Sequence, residues 1–100
     1  MPAYVIARIR VKDDLAYEEY RRMVAPIVQK HGGRFLARGG RAEWLEPEER
    51  AGLDPGRIIV LEFPSYEKAL AWHRSEDYVP ALRKRQASSE GELILAEGLT

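Results

Sequence analysis

The chain has no cysteine, no asparagine and only two histidines among its 100 residues. Without cysteine there is no disulfide framework and no thiolate chemistry. His31 and His73 stand far apart with no cysteine to join them, so no metal-ligand spacing exists and neither metal nor cofactor is expected. No G-x-G-x-x-G stretch and no phosphate-binding loop appear, and no serine is flanked as in a nucleophile elbow. Charge of one sign is also missing. The 16 basic and 16 acidic side chains give a net charge of zero, so the overall basic field of a nucleic-acid binder is absent. No apolar run approaches the roughly 18 residues that cross a membrane. The N-terminus "MPAYVIARIRV" enters a strand at once, with no apolar leader region and small-residue cleavage site. A soluble, cytoplasmic protein without membrane or nucleic-acid partners is expected.

What is present is one domain's worth of chain, long enough to bury about two-thirds of its unfolded surface. Twelve of the 16 basic residues are arginine. Heat adaptation and genome base composition both produce that bias.

Periodicity lays out the elements. "AYVIARIRV" (3–11) alternates as a strand. Over 13–33 the period changes: Ala16, Tyr17, Tyr20, Met23, Val24, Ile27, Val28 and His31 share one helical stripe, with Glu18, Glu19, Arg21 and Arg22 outside it. Asp13 or Asp14 caps the start, Gly32 suits the left-handed position past the end, and Pro26 kinks the middle. "RFLARGGRAEWLE" (34–46) reads as a second strand interrupted at Gly39-Gly40. The polar loop "PEERAGLDPG" (47–56) leads to a third strand, "RIIVLEF" (57–63). Ser65 caps a helical segment to residue 87 that breaks at a second cap, Ser75. "ELILAEG" (92–98) closes the chain. The order βαββαβ with right-handed crossovers predicts an α+β, ferredoxin-like antiparallel sheet ordered 4-1-3-2, both helices on one face.

Alternation divides the sheet into two faces. Val5, Ala7, Ile9, Val11, Phe35, Ala37, Ile59, Leu61 and Phe63 form the apolar side under the helices. Tyr4, Ile6, Arg8, Arg10, Arg34, Leu36, Arg38, Ile58, Val60 and Glu62 form a face that is half apolar and half charged. A solvated face does not need so many apolar groups, and a core does not tolerate unpaired charge. A second copy of the chain packed against this face resolves the conflict, so a homodimer is expected. Gly39-Gly40 then marks either a bulge that swings "RAEWLE" around the partner or a tight turn.

Several stretches, "AYVIARIRV", Tyr17 and Tyr20, "HGGRFLARGG", "VLEFPS", "AWHRSEDY" and Arg85, fall in an order and spacing that resembles the small bacterial proteins of the domain of unknown function 1330 family. The resemblance covers nearly the whole chain. It implies a dimeric α/β barrel, in a superfamily with antibiotic-biosynthesis monooxygenases, muconolactone isomerases and haem-degrading enzymes, and it implies no established activity. His73 departs from it, since an aromatic residue usually follows "AW", and the "PEERAGLD" stretch is longer than the family's.

Candidate chemistry is confined to a few side chains, each with a structural alternative. Arg38 presents a planar fork to an anion, or pairs with Glu62 or an acidic residue across the dimer. Glu62, beside Arg8 in the 4-1-3-2 order, is a catalytic-base candidate or simply the partner of Arg8. His73 is a base, a haem ligand, or a satisfied edge residue. His31 is structural, favoured by the helix C-terminus. Tyr17 and Tyr20 put rings in the core and hydroxyls toward a pocket. Tyr78, Leu82 and Arg85 form a second stripe that points Arg85 into the cleft of Arg38. Trp44 and Trp72 are packing or dimer anchors. Three readings follow. The first is a homodimer binding a small anionic or aromatic metabolite through Arg8, Arg38, Tyr17, Tyr20, Tyr78 and Arg85. The second is a cofactor-independent oxygenase or isomerase using Glu62 or His73. The third is a structural or regulatory subunit without a ligand.

Overall fold

The strand formers fall where alternation places them. In a computed structural model that describes residues 1–99, β1 runs Ala3–Val11, α1 Asp14–Lys30, β2 Arg34–Arg38, β3 Arg57–Phe63, α2 Tyr66–Arg74, α3 Val79–Ser88 and β4 Ser89–Glu97. The strands form one antiparallel sheet in the order β2-β3-β1-β4, the 4-1-3-2 topology of the ferredoxin-like fold. None of the described helices is long and apolar enough to cross a membrane.

The caps act as local chemistry requires. Asp13 accepts from the Ala16 amide at 3.1 Å and Ser65 from the Lys68 amide at 3.1 Å. Each thereby satisfies an amide that has no partner inside its helix. Gly32 leaves α1 with a φ of +83°, the left-handed exit that glycine takes without penalty. Ser75 ends α2 and starts the next turn. Its hydroxyl donates to the Trp72 carbonyl at 2.9 Å and accepts from the Tyr78 amide at 3.3 Å. One serine therefore fixes the two largest buried aromatic residues.

Val5, Ala7, Ile9, Leu61 and Phe63 bury one sheet face against Tyr17, Tyr20, Val24, Val28, Ala69, Trp72 and Tyr78. On the other face Ile6 stands opposite Val60 and Ile94. Ile6 is 45 % exposed and Ile94 63 %.

Two expectations about β2 are corrected. The strand is broken at Gly39-Gly40, where Gly39 bends the chain with a φ of +77°, but it ends at Arg38 and does not resume to residue 46; a second, unexpected irregularity lies at Leu36. Phe35 pairs with Leu61 but Ala37 pairs with Val60, so Leu36 is one residue more than the partner strand can match. Beyond Arg38 the chain does not reach away from its own sheet. Trp44 returns over it, with the Arg8 guanidinium 5.5 Å and the Arg50 guanidinium 4.6 Å from its ring centre. β4 begins three residues earlier than expected, at Ser89, which pairs with Val11.

Candidate functional site

The bulge at Leu36 decides which way Arg38 faces. With strict alternation Arg38 would share the mixed face with Arg34 and Leu36. After the extra residue it pairs with Ile59 and joins Phe35 under the helices, while Ala37 turns to the mixed face. The Arg38 guanidinium lies 4.1 Å from the Phe35 ring centre, and its Nη2 donates to the Arg21 carbonyl at 3.2 Å. A cavity opens at this place between sheet and helices. It is a narrow cleft with only about 30 Å³ of enclosed space, the rest of its opening being continuous with solvent.

The cavity floor is aliphatic, from Val5, Ala7, Ile9, Ile59, Leu61 and Leu93, and its walls carry Tyr17, Tyr20 and Trp72. The charged groups that line it are Arg21, Arg38, Arg57 and Arg85, with no carboxylate among them. Arg21 is compensated outside by Glu18 at 2.7 Å. Arg38, Arg57 and Arg85 have no carboxylate partner among the described residues. Arg85 is the extreme case. It is only 8 % exposed, and its buried Nε finds no acceptor. The end of α3 holds it in place, where the Ser89 hydroxyl donates to the Arg85 carbonyl at 2.6 Å. A buried guanidinium without a counter-charge is costly unless something else satisfies it.

Gly39 belongs to this wall. Its φ is +77°, and a Cβ there would fall onto the Arg57 guanidinium. Arg57 reaches past the bare glycine to sit 5.4 Å from the Tyr17 ring centre, its Nη2 donating to the Arg38 carbonyl at 3.4 Å. Burial raises the Tyr17 hydroxyl pKa, and Arg57, Arg21 and Arg85 pull it back, so three cations converge on that hydroxyl. Burial also raises Tyr20, whose hydroxyl shares a 3.1 Å hydrogen bond with that of Tyr78. Trp72 packs between Phe63 and Tyr78, and its buried Nε1 has no acceptor. The cavity can hold and stabilise negative charge on an apolar body. It holds no carboxylate or imidazole to act as a base.

The structure therefore brings Arg38, Tyr17, Tyr20 and Arg85 to one cavity, with Tyr78 behind Tyr20. Arg8 and Glu62 are elsewhere, on the opposite sheet face, and they are not neighbours there. Arg8 stands opposite Ile58 and Glu92 and pairs with Glu92 at 3.1 Å. Glu62 stands opposite Tyr4 and Arg34. It accepts from Arg34 Nε at 2.8 Å and from the Tyr4 hydroxyl at 3.0 Å. The Arg34 hydrogen bond and then that of Tyr4 hold its pKa below the usual value, the reverse of what tunes a carboxylate for base work at neutral pH. His73 lines a separate apolar groove between α2 and β4, and burial followed by Arg85 and Arg74 lowers its pKa. Among the described residues no group of three or more acidic or histidine side chains is placed to hold a metal.

Two site residues escape the first reading of the sequence, although the signal for each is present. Arg57 continues the alternation Phe63, Leu61, Ile59 by one step. Arg21 lies four residues after Tyr17 and three before Val24, at the helical spacing that brings it to the edge of the buried stripe of α1.

Known proteins with this architecture include a protein of unknown function from Rhodopseudomonas palustris. It is 21 % identical with a TM-score of 0.80, over 99 % of this chain and 83 % of that one. SnoaB, a cofactor-independent oxygenase from Streptomyces nogalater, is 13 % identical with a TM-score of 0.65, over 99 % and 94 %. At these identities the likeness shows a shared fold. No curated protein matches the chain. The model of the domain of unknown function DUF1330 matches residues 2–99, and with the ferredoxin-like sheet already described this places the chain in the DUF1330 family.

Proposed function

We propose that this protein is a homodimer that binds a small anionic or aromatic metabolite in the cavity between sheet and helices. One observation carries the reading: the buried Arg85 guanidinium lines an apolar cavity without a protein counter-charge. A ligand carboxylate or phenolate supplies what the protein withholds, through a charge-assisted hydrogen bond worth about 1.5–3 kcal/mol. The test is calorimetric titration of benzoate into wild type and Arg85→Met. Met keeps the bulk and removes the charge, so affinity should fall roughly 10- to 100-fold by that energy. Unchanged affinity would place the ligand elsewhere.

The oxygenase or isomerase reading has the apolar, aromatic-walled cavity in its favour. In that reading Arg38, Arg57 and Arg85 stabilise a substrate oxyanion. The substrate must then supply its own acidity, because Glu62 and His73 do not line the cavity. Dimerisation rests on the apolar stripe Ile94–Ile6–Val60, of which Ile6 and Ile94 are exposed and Val60 is half-buried. Lateral burial of such a stripe is what a partner provides.

A further inference from the structure

The polar lining of the cleft consists of four arginines, Trp72 and two tyrosines. A guanidinium and an indole N–H can only donate, whereas a hydroxyl donates or accepts. The direction of the tyrosine hydrogen bonds therefore decides what the cleft can hold. For Tyr20 that direction follows from burial. Its hydroxyl shares a 3.1 Å hydrogen bond with that of Tyr78, and either oxygen could be the donor. The pair brings two protons and the bond uses one. The other proton stays on Tyr78 or on Tyr20. Tyr78 is 0 % exposed and does not line the cleft. Its ring lies 4.6 Å from that of Trp72 and 5.8 Å from that of His73, centre to centre, and Ser75 holds its amide. Among the described residues its hydroxyl bonds to Tyr20 alone. A proton left there is a buried donor without an acceptor, which folded proteins avoid. Tyr20 does line the cleft, and a proton left on it has somewhere to go.

Resting on the anion-binding reading above, we infer that Tyr78 donates to Tyr20 and Tyr20 donates into the cleft, where its hydroxyl and the Arg85 guanidinium hold the anionic end of the ligand. Tyr20 is then a ligand-binding residue, and Tyr78 a positioning residue that acts through it. The two donors belong to one place. Burial is the larger effect on the Tyr20 hydroxyl and keeps it protonated, while the charge of Arg85 pulls the other way. A hydroxyl that accepts one hydrogen bond donates the next more strongly. The enclosed space of about 30 Å³ is about one water's share of liquid volume. It admits the acceptor atoms of a carboxylate or phenolate and leaves the apolar body in the part continuous with solvent.

The experiment titrates benzoate calorimetrically into wild type, Tyr20→Phe, Tyr78→Phe and the double variant, with circular dichroism confirming folding. Each substitution removes one oxygen and keeps the ring. Tyr20→Phe should weaken binding about tenfold, the effect of one hydrogen bond to a charged group. Tyr78→Phe should weaken it about two- to threefold, because Tyr20 then donates without the bond that strengthens it. The double variant should bind as Tyr20→Phe does, since Tyr78 acts only through Tyr20. Affinity unchanged in Tyr20→Phe, or unchanged or tighter in Tyr78→Phe, overturns the relay and leaves the anion site standing. Losses that add in the double variant overturn it too, because Tyr78 then acts without Tyr20. No binding of benzoate by wild type overturns the anion site and the relay together.

Discussion

At the scale of single residues, close contacts in the cavity wall carry costs in stability. Gly39 makes one. Its positive φ costs a residue with a Cβ about 1–2 kcal/mol, and the Arg57 guanidinium occupies the space a Cβ would take. Gly39→Ala should lower stability in urea unfolding by about that amount or more. In an Arg57→Ala background the loss should shrink to the conformational part alone, since the two positions interact. Equal losses in both backgrounds would separate Gly39 from Arg57. His73 gives the pH dependence at this scale. Its folded pKa is depressed by burial, so the unfolded chain takes up a proton first as pH falls. Stability is therefore unaffected above the unfolded value of about 6.5 and declines below it until the folded pKa is passed. His73→Gln should flatten that portion of a stability-versus-pH curve, and an unaltered slope would assign it to another group.

At the scale of elements, most of the layout was legible before any coordinates. Local chemistry sets it: alternation in "AYVIARIRV" and "RIIVLEF", the tyrosine stripe of α1, and serines at both caps of the broken helical segment. The direction of Arg38 was not legible, because alternation carries a face assignment along a strand only while the register is kept. Leu36 breaks that register, and leucine carries no mark of a bulge. The neighbouring glycines mark the end of the strand, and no residue type marks the bulge three positions before them. The Arg8–Glu62 pairing failed for a related reason, since strand order says which strands are neighbours but not which residues face each other across them. Ser75 offers the element-scale test. Ser75→Ala removes the acceptor for the Tyr78 amide and the donor to the Trp72 carbonyl, and a lost cap costs about 1 kcal/mol. A matching fall in the urea midpoint is expected. No fall would mean that α2 and α3 hold their break through packing alone.

At the scale of the whole molecule, the two sheet faces carry different tasks. The helix side holds the core and the arginine-lined cavity. The other side sets the Tyr4–Glu62–Arg34 and Arg8–Glu92 contacts beside an apolar stripe. If a second copy covers that stripe, Ile6→Asp should turn a species of twice the 11.4 kDa chain mass into a folded monomer in light scattering. A wild-type monomer would remove the partner. The cavity meanwhile keeps an uncompensated charge at Arg85, which in the anion-binding reading proposed above trades stability for recognition.

The most direct measurement is therefore the melting temperature of wild type and Arg85→Met, each with and without benzoate. A buried charge without a partner costs about 1–3 kcal/mol, so in buffer Arg85→Met should melt higher, by ~4–8 °C for each kcal/mol recovered. Benzoate should raise the wild type by mass action and leave the variant where it is. A variant that melts lower in buffer, or gains as much from benzoate as wild type does, would show that Arg85 is a structural residue and that the cavity is not an anion site.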